Sequence, residues 1–281
     1  MNIKPPTNVR EVDLAKPNAA RMYDYYLGGS HNFESDRALA GQVEQVAPWV
    51  KDIARINRAW LRRVVDTLMA QGIRQFLDLG SGIPTAGNVH EQAQRLDPTT
   101  RVVYVDYEAV AVHHSFELLK DNEYATVVWA DVRNPRSVLE HEETRRLLDF
   151  TQPIGLLCAG LLLFIGDDFD PAGLVAAYRD ACPAGSYLAI STMSQDEADP
   201  ETRERLGGLL KLYEMADERI YPRDKETIAS WFAGTDLIDP GLVLLHQWRP
   251  ERSSDGSPAW PRHEESPARL LGYGAVGRIL G

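Results

Sequence analysis

Between residues 73 and 191, short apolar runs alternate with stretches patterned as helices, and no other feature constrains the fold of this chain as strongly. The apolar runs cover 73–79, 101–106, 125–130, 154–164 and 186–191; helical patterns cover 85–96, 108–120, 136–149 and 171–182. This alternation is the mark of parallel βαβ units. The run Ile154–Ile165 is apolar throughout, as in a central strand with helices packed on both faces. Helices are expected again at 199–216 and 223–233. Two last strands follow, Leu242–Trp248 and Tyr273–Ile279, joined by the polar stretch Pro250–Pro267 and expected to form an antiparallel hairpin at the sheet edge. The prediction is a seven-stranded, Rossmann-like α/β sheet.

The first quarter of the chain reads differently. Residues 1–16 are expected to form a flexible arm. Asn18 is placed to cap a helix Ala19–Leu27 that stops at Gly28-Gly29, and a second helix is expected at Asp36–Ala47. After Pro48, residues Ile53, Ile56, Trp60, Val64 and Leu68 recur at spacings of three and four, one face of an amphipathic helix. The chain therefore divides into an arm (1–16), an N-terminal helical cap (17–71) and a ligand-binding domain (72–281).

Net charge is −11, so a broad attraction to phosphate backbones is missing and nucleic acid is disfavoured as a partner. A small-molecule or protein substrate fits better. Cys158 and Cys182 have apolar neighbours and no metal-ligand spacing, which predicts two reduced buried thiols and no metal. The N-terminus has no signal-peptide pattern, and the longest apolar run is too short for a bilayer. A soluble cytoplasmic protein, monomeric or homodimeric, is expected.

The turn Gly80-Ser81-Gly82 follows the first strand directly and precedes a helix, where backbone amides and the helix dipole can face a ligand. Two acids then choose among ligands. Asp106 ends the second strand, 24 residues after Gly82, where a carboxylate hydrogen-bonds a ribose diol; Tyr107 follows it. Asp78 lies two residues before Gly80, beside the turn that in a dinucleotide enzyme holds a pyrophosphate. A carboxylate there would repel the pyrophosphate by several kcal/mol, to order of magnitude. The third position of the dinucleotide pattern is Thr85 instead of Gly or Ala. Both departures favour a cationic nucleoside without phosphate, and S-adenosylmethionine carries an ammonium and a sulfonium. Asp131 closes the third strand, placed for an adenine amino group, with Val132 against the ring; the alternative for Asp131 is a helix N-cap. Ala159 and Gly160 would let the cofactor lie close to the fourth strand.

Several segments resemble an S-adenosyl methyltransferase family long catalogued as a domain of unknown function. They include Ala20–Gly29, Asn32-Phe33, Ala54–Arg58, Phe76–Gly82, Gly87–Glu91, Val103–Asp106, Ala130–Arg133, Pro183–Ser191 and Gly272–Arg278. The resemblance runs from about residue 17 nearly to the end. It implies a class I methyltransferase fold, S-adenosylmethionine as ligand and an N-terminal helical element over the cofactor, and it names no acceptor. It also associates histidines with two positions that here are Leu163 and Thr192.

Methyl transfer from a sulfonium is an in-line displacement helped by positioning and a dry site. Tyr23, Tyr26 and Asn32 flank the Gly28-Gly29 turn and are candidates to contact the cofactor, against a packing pair for the tyrosines. Arg58 is a candidate fork for the cofactor carboxylate, against an ordinary solvated arginine. No general base stands out: His90, Tyr23 and His31 are the candidates, and a lone histidine is more often structural. The leading expectation is a methyltransferase yielding S-adenosyl-L-homocysteine. The alternatives are a catalytically idle S-adenosylmethionine-binding or regulatory protein, and an NAD(P)-dependent oxidoreductase.

Overall fold

In a computed structural model, which describes residues 13–84, 87–216, 218–250 and 266–281, the alternating runs form one twisted sheet with helices on both faces. Three helices come first, α1 (Ala19–Tyr26), α2 (Glu34–Val46) and α3 (Val50–Ala70). The strands are β1 (Gln75–Leu79), β2 (Arg101–Asp106), β3 (Ala125–Trp129), β4 (Gly155–Ala159), β5 (Tyr187–Met193), β6 (Thr235–Leu237), β7 (Val243–Leu244) and β8 (Gly272–Ile279). Between them run α4 (Val89–Leu96), α5 (Ala109–Leu119), α6 (Pro135–Leu139), α7 (Glu142–Leu147), α8 (Pro171–Asp180), α9 (Pro200–Met215) and α10 (Lys225–Ser230).

The sheet order is β3-β2-β1-β4-β5-β8-β6. Strands β1 to β5 pair in parallel, and β8 runs antiparallel between β5 and β6. Order reverses between β1 and β4, the crevice where open α/β sheets bind ligands. Leucine and valine alternation sorts the interior into two layers. Phe76, Val102, Leu157 and Ala189 share one apolar cluster with α1–α3, while Leu77, Val103, Leu156 and Ile190 pack against the helices of the opposite face.

The expectation of seven strands is corrected to eight among the described residues. β7 does pair antiparallel with β8, but the edge belongs to β6, and 245–247 turn into a 3-10 segment. Thr-Asp-Leu in β6 is short and mostly exposed, so no alternation announced it. The fourth strand stops at Ala159, because Gly160 takes φ +71°. Its carbonyl-side neighbours Leu162–Phe164 form a 3-10 turn. Helix α4 starts at Val89 instead of 85, with Glu91 accepting from the Gly87 and Asn88 amides. Thr85 and most of the Pro250–Pro267 link lie outside the described residues, as do the first twelve residues of the arm. Within 13–16, the Leu14 carbonyl accepts from Ser35 and that of Lys16 from Arg21. Both cysteines are free and buried. No helix among the described residues is long and apolar enough to cross a membrane.

Candidate functional site

The chain ends of β1, β2 and β4 open into a cleft with about 1020 Å³ of space between its walls, its mouth included. Its floor is the glycine turn. Gly80 takes φ +67°, and a Cβ there would meet Leu161 Cδ1 at 2.5 Å, so both the backbone and the space call for glycine. The Gly80 and Ser81 amides both donate to the Val105 carbonyl of β2. Asp106 Oδ2 accepts from the Gly82 amide at 2.7 Å, and Oδ1 from the Glu108 amide at 2.9 Å. The acid at the end of β2 thus fastens the turn while lining the cleft.

Asp78 is 5% exposed. Burial pushes its carboxyl up to about 7, opposed by the Arg58 charge and reinforced by that of Asp106. No hydrogen bond from the described residues offsets this burial. The Ser81 hydroxyl oxygen, which lines the same cleft, is buried without a partner among the described residues. Buried polar groups are normally paired, and both of these line the cleft.

The roof comes from the N-terminal helices. Asn18 caps α1, accepting from the Ala20 amide at 2.9 Å, and its Nδ2 donates to Glu218 at 2.9 Å. Arg21 is 2% exposed and bridges Asp36 and Glu108, both at 2.9 Å. That pair of bonds ties α1 to α2 and to the loop after β2. Tyr23 reaches the cleft from the next turn of α1. Its hydroxyl donates to the Ala54 carbonyl and accepts from Asn57 Nδ2, each at 3.1 Å.

Of the residues singled out in the sequence, Asp78, Gly80, Ser81, Gly82, Asp106, Tyr107, Val132, Ala159, Gly160, Tyr23 and Arg58 all line this cleft. Tyr26 and Asn32 do not. Tyr26 turns into the apolar interior, its hydroxyl 3.4 Å from that of Tyr213. Asn32 Nδ2 donates to Asp24 and to the Gly29 carbonyl, holding the turn after α1. Asp131 is clasped by Arg133 at 2.6–3.0 Å on the surface, which holds its carboxyl low. Only its neighbour Val132 faces the cleft, and the cap of α6 is Asn134.

The histidines also sit elsewhere. His90 Nδ1 is 2.8 Å from the Tyr104 hydroxyl, behind the glycine turn, and burial lowers its pKa. His31 lies against His114, ring centres 3.9 Å apart and tilted by 49°; burial chiefly, then His31 and His113, lower His114 to about 4.

Sequence reasoning missed Asn57, Glu108, Leu161, Phe164, Tyr213 and Glu218 as cleft residues. Asn57 carried a signal, a polar residue inside the apolar stripe of α3 between Ile53 and Trp60. The positions Leu163 and Thr192 both line a second, adjoining cavity.

The model of the S-adenosyl methyltransferase family matches residues 5–280. A DUF574 family protein from Streptomyces avermitilis superimposes with a TM-score of 0.87 at 32% identity, over 95% of this chain and 99% of that one. A candidate methyltransferase from Thermobifida fusca gives 0.87 at 37% identity, over 99% of this chain and all of the other. The carbon methyltransferase CurJ, at 14% identity and TM-score 0.51 over 88% of this chain and 60% of its own, shares the fold alone. No curated protein matches this chain.

Proposed function

Because the chain belongs to the S-adenosyl methyltransferase family, it is an S-adenosylmethionine-dependent methyltransferase, and we propose that the cleft at the ends of β1, β2 and β4 holds that donor. The observation that carries this placement is the buried Asp78 carboxyl in the same cleft as the unpartnered Ser81 hydroxyl. A cationic ligand would satisfy both; a pyrophosphate would not. In this reading Asp78 receives the ammonium and Arg58 the carboxylate of the methionine part. Asp106 takes the ribose hydroxyls with its remaining lone pairs, and Val132 and Tyr107 flank the adenine. Gly80 and Gly160 let the ligand approach the main chain. Residues 17–71 act as a cap whose Tyr23 closes the cleft near the sulfonium. Bound there, S-adenosylmethionine supplies an activated methyl group; the protein contributes position and exclusion of water.

The acceptor is a small molecule or protein group rather than nucleic acid, given the net charge of −11. Two buried thiols suit a cytoplasmic setting, and the working unit is a monomer or homodimer. Titration calorimetry with S-adenosylmethionine, S-adenosylhomocysteine and NAD tests the placement. Both sulfur ligands are expected to bind and NAD is not. A folded protein that binds neither, or an Asp78→Asn variant that binds them as tightly as the wild type, would refute it.

A further inference from the structure

Behind the cofactor cleft lies a second cavity, with about 730 Å³ of space between its walls, its mouth included. Its walls are Val50 and Ile53 of α3, Leu163, Met193 at the end of β5, and Leu209 of α9, with Ile220 from the segment beyond. None of the described residues lining it carries a charge. The two spaces share Tyr23, Asn57, Gly160, Phe164 and Tyr213. They therefore adjoin at this shared set of residues, the neck between them.

The neck is polar but neutral, and its geometry is fixed. Asn57 Oδ1 accepts from Ser191 Oγ at 2.6 Å while its amide nitrogen donates to Tyr23. The Thr192 hydroxyl, on the lining of the second cavity, is buried with no partner among the described residues. The aromatic residues Tyr23, Phe164 and Tyr213 border the neck.

Resting on the reading that the cleft holds the methyl donor, we propose that this second cavity is the acceptor site, and that it takes an uncharged, largely apolar small molecule presenting a neutral nitrogen, an arylamine or a heteroaromatic ring nitrogen. An anionic acceptor would lose its hydration in a chamber offering no counter-charge. A phenol needs a base to remove its proton early, and no carboxylate or imidazole lines the chamber among the described residues. A neutral nitrogen needs none. Its lone pair forms the new N–C bond as the C–S bond breaks, and that bonding pair stays on sulfur in S-adenosylhomocysteine. The positive charge passes to nitrogen beside the aromatic rings that border the neck; an arylamine then loses an N–H proton to water after release, whereas a ring nitrogen without N–H leaves as the N-methyl cation.

The test uses the full-length protein and three probes on one bicyclic skeleton, 1-aminonaphthalene, 1-naphthol and 1-naphthoate. With S-adenosylhomocysteine present, calorimetry is expected to show the amine binding at least tenfold tighter than the carboxylate. Ile53→Trp, which fills the chamber, and Ile220→Glu, which charges it from a half-buried position, should each weaken the amine at least tenfold. Both should leave S-adenosylhomocysteine within twofold. With S-adenosylmethionine, the amine should release product faster than the naphthol. Equal or tighter binding of the carboxylate, variants that bind the amine like the wild type, or faster turnover of the naphthol would each overturn the inference alone. A folded protein that fails to bind S-adenosylhomocysteine would overturn the donor reading and this inference with it.

Discussion

Replacing Asp78 with asparagine should make the ligand-free protein more stable and a worse binder, and the balance should depend on pH. The carboxyl is 5% exposed, and burial lifts it from 3.8 to about 7. Between those values the native state holds a proton that the unfolded chain has released. Stability therefore falls as pH rises from about 4 to 7, and the whole cost is present above 7. At ~1.4 kcal/mol for each pH unit, the ceiling is about 4 kcal/mol. The asparagine side chain keeps the shape without the charge, so the variant should escape this cost. Urea unfolding at pH 4.5 and pH 8 measures it: the variant should gain about 1–3 kcal/mol over the wild type at pH 8 and only about a quarter of that at pH 4.5. S-adenosylhomocysteine should behave oppositely. Its ammonium binds the ionised carboxylate, so wild-type affinity should rise with pH through about 7. The variant should lose about 1.5–3 kcal/mol, the worth of a charged hydrogen bond. A stability gap independent of pH would refute the argument, as would undiminished affinity.

Other residues give equally specific outcomes. Arg21→Leu strands the buried Asp36 and Glu108 carboxylates and should cost about 3–5 kcal/mol in urea unfolding. Gly80→Ala forces φ +67° on an L-residue and a 2.5 Å approach to Leu161; a loss of about 1–3 kcal/mol in stability, with weaker S-adenosylhomocysteine binding by calorimetry, is expected. Asp106→Ala removes both the acceptor that holds the Gly82 amide and the ribose partner, so affinity for S-adenosylhomocysteine should drop by about 1–3 kcal/mol. His90→Asn should lower stability by about 1–3 kcal/mol through its lost bond to Tyr104 yet leave that affinity within twofold, which calorimetry checks.

The parts of the site legible in the sequence are those made by neighbours along the chain. Asp78 to Gly82 is a strand, a turn and its acid in one stretch, and Asp106 ends the next strand, so local pattern sufficed. The apolar stretch after Ala159 misled because hydropathy does not register the left-handed turn at Gly160. Asp131 looked like a ligand contact because its partner, Arg133, competes for it only once the loop is folded. Tyr213 on α9 and Glu218 in the segment beyond it reach the cleft from far along the chain, as the Asn18–Glu218 bond across 200 residues illustrates. No periodicity encodes such a meeting. Tyr26 and Asn32 were placed by proximity to a glycine turn, whereas packing sends one inward and uses the other to hold the turn itself.

The wall shared by the two cavities has a thermodynamic consequence. Tyr23 and Asn57 face both spaces and are bonded to each other, so whatever fills one space restrains the surface presented to the other. Occupancy of the two is then linked, and the linkage is reciprocal: the factor by which donor alters acceptor affinity equals the factor by which acceptor alters donor affinity.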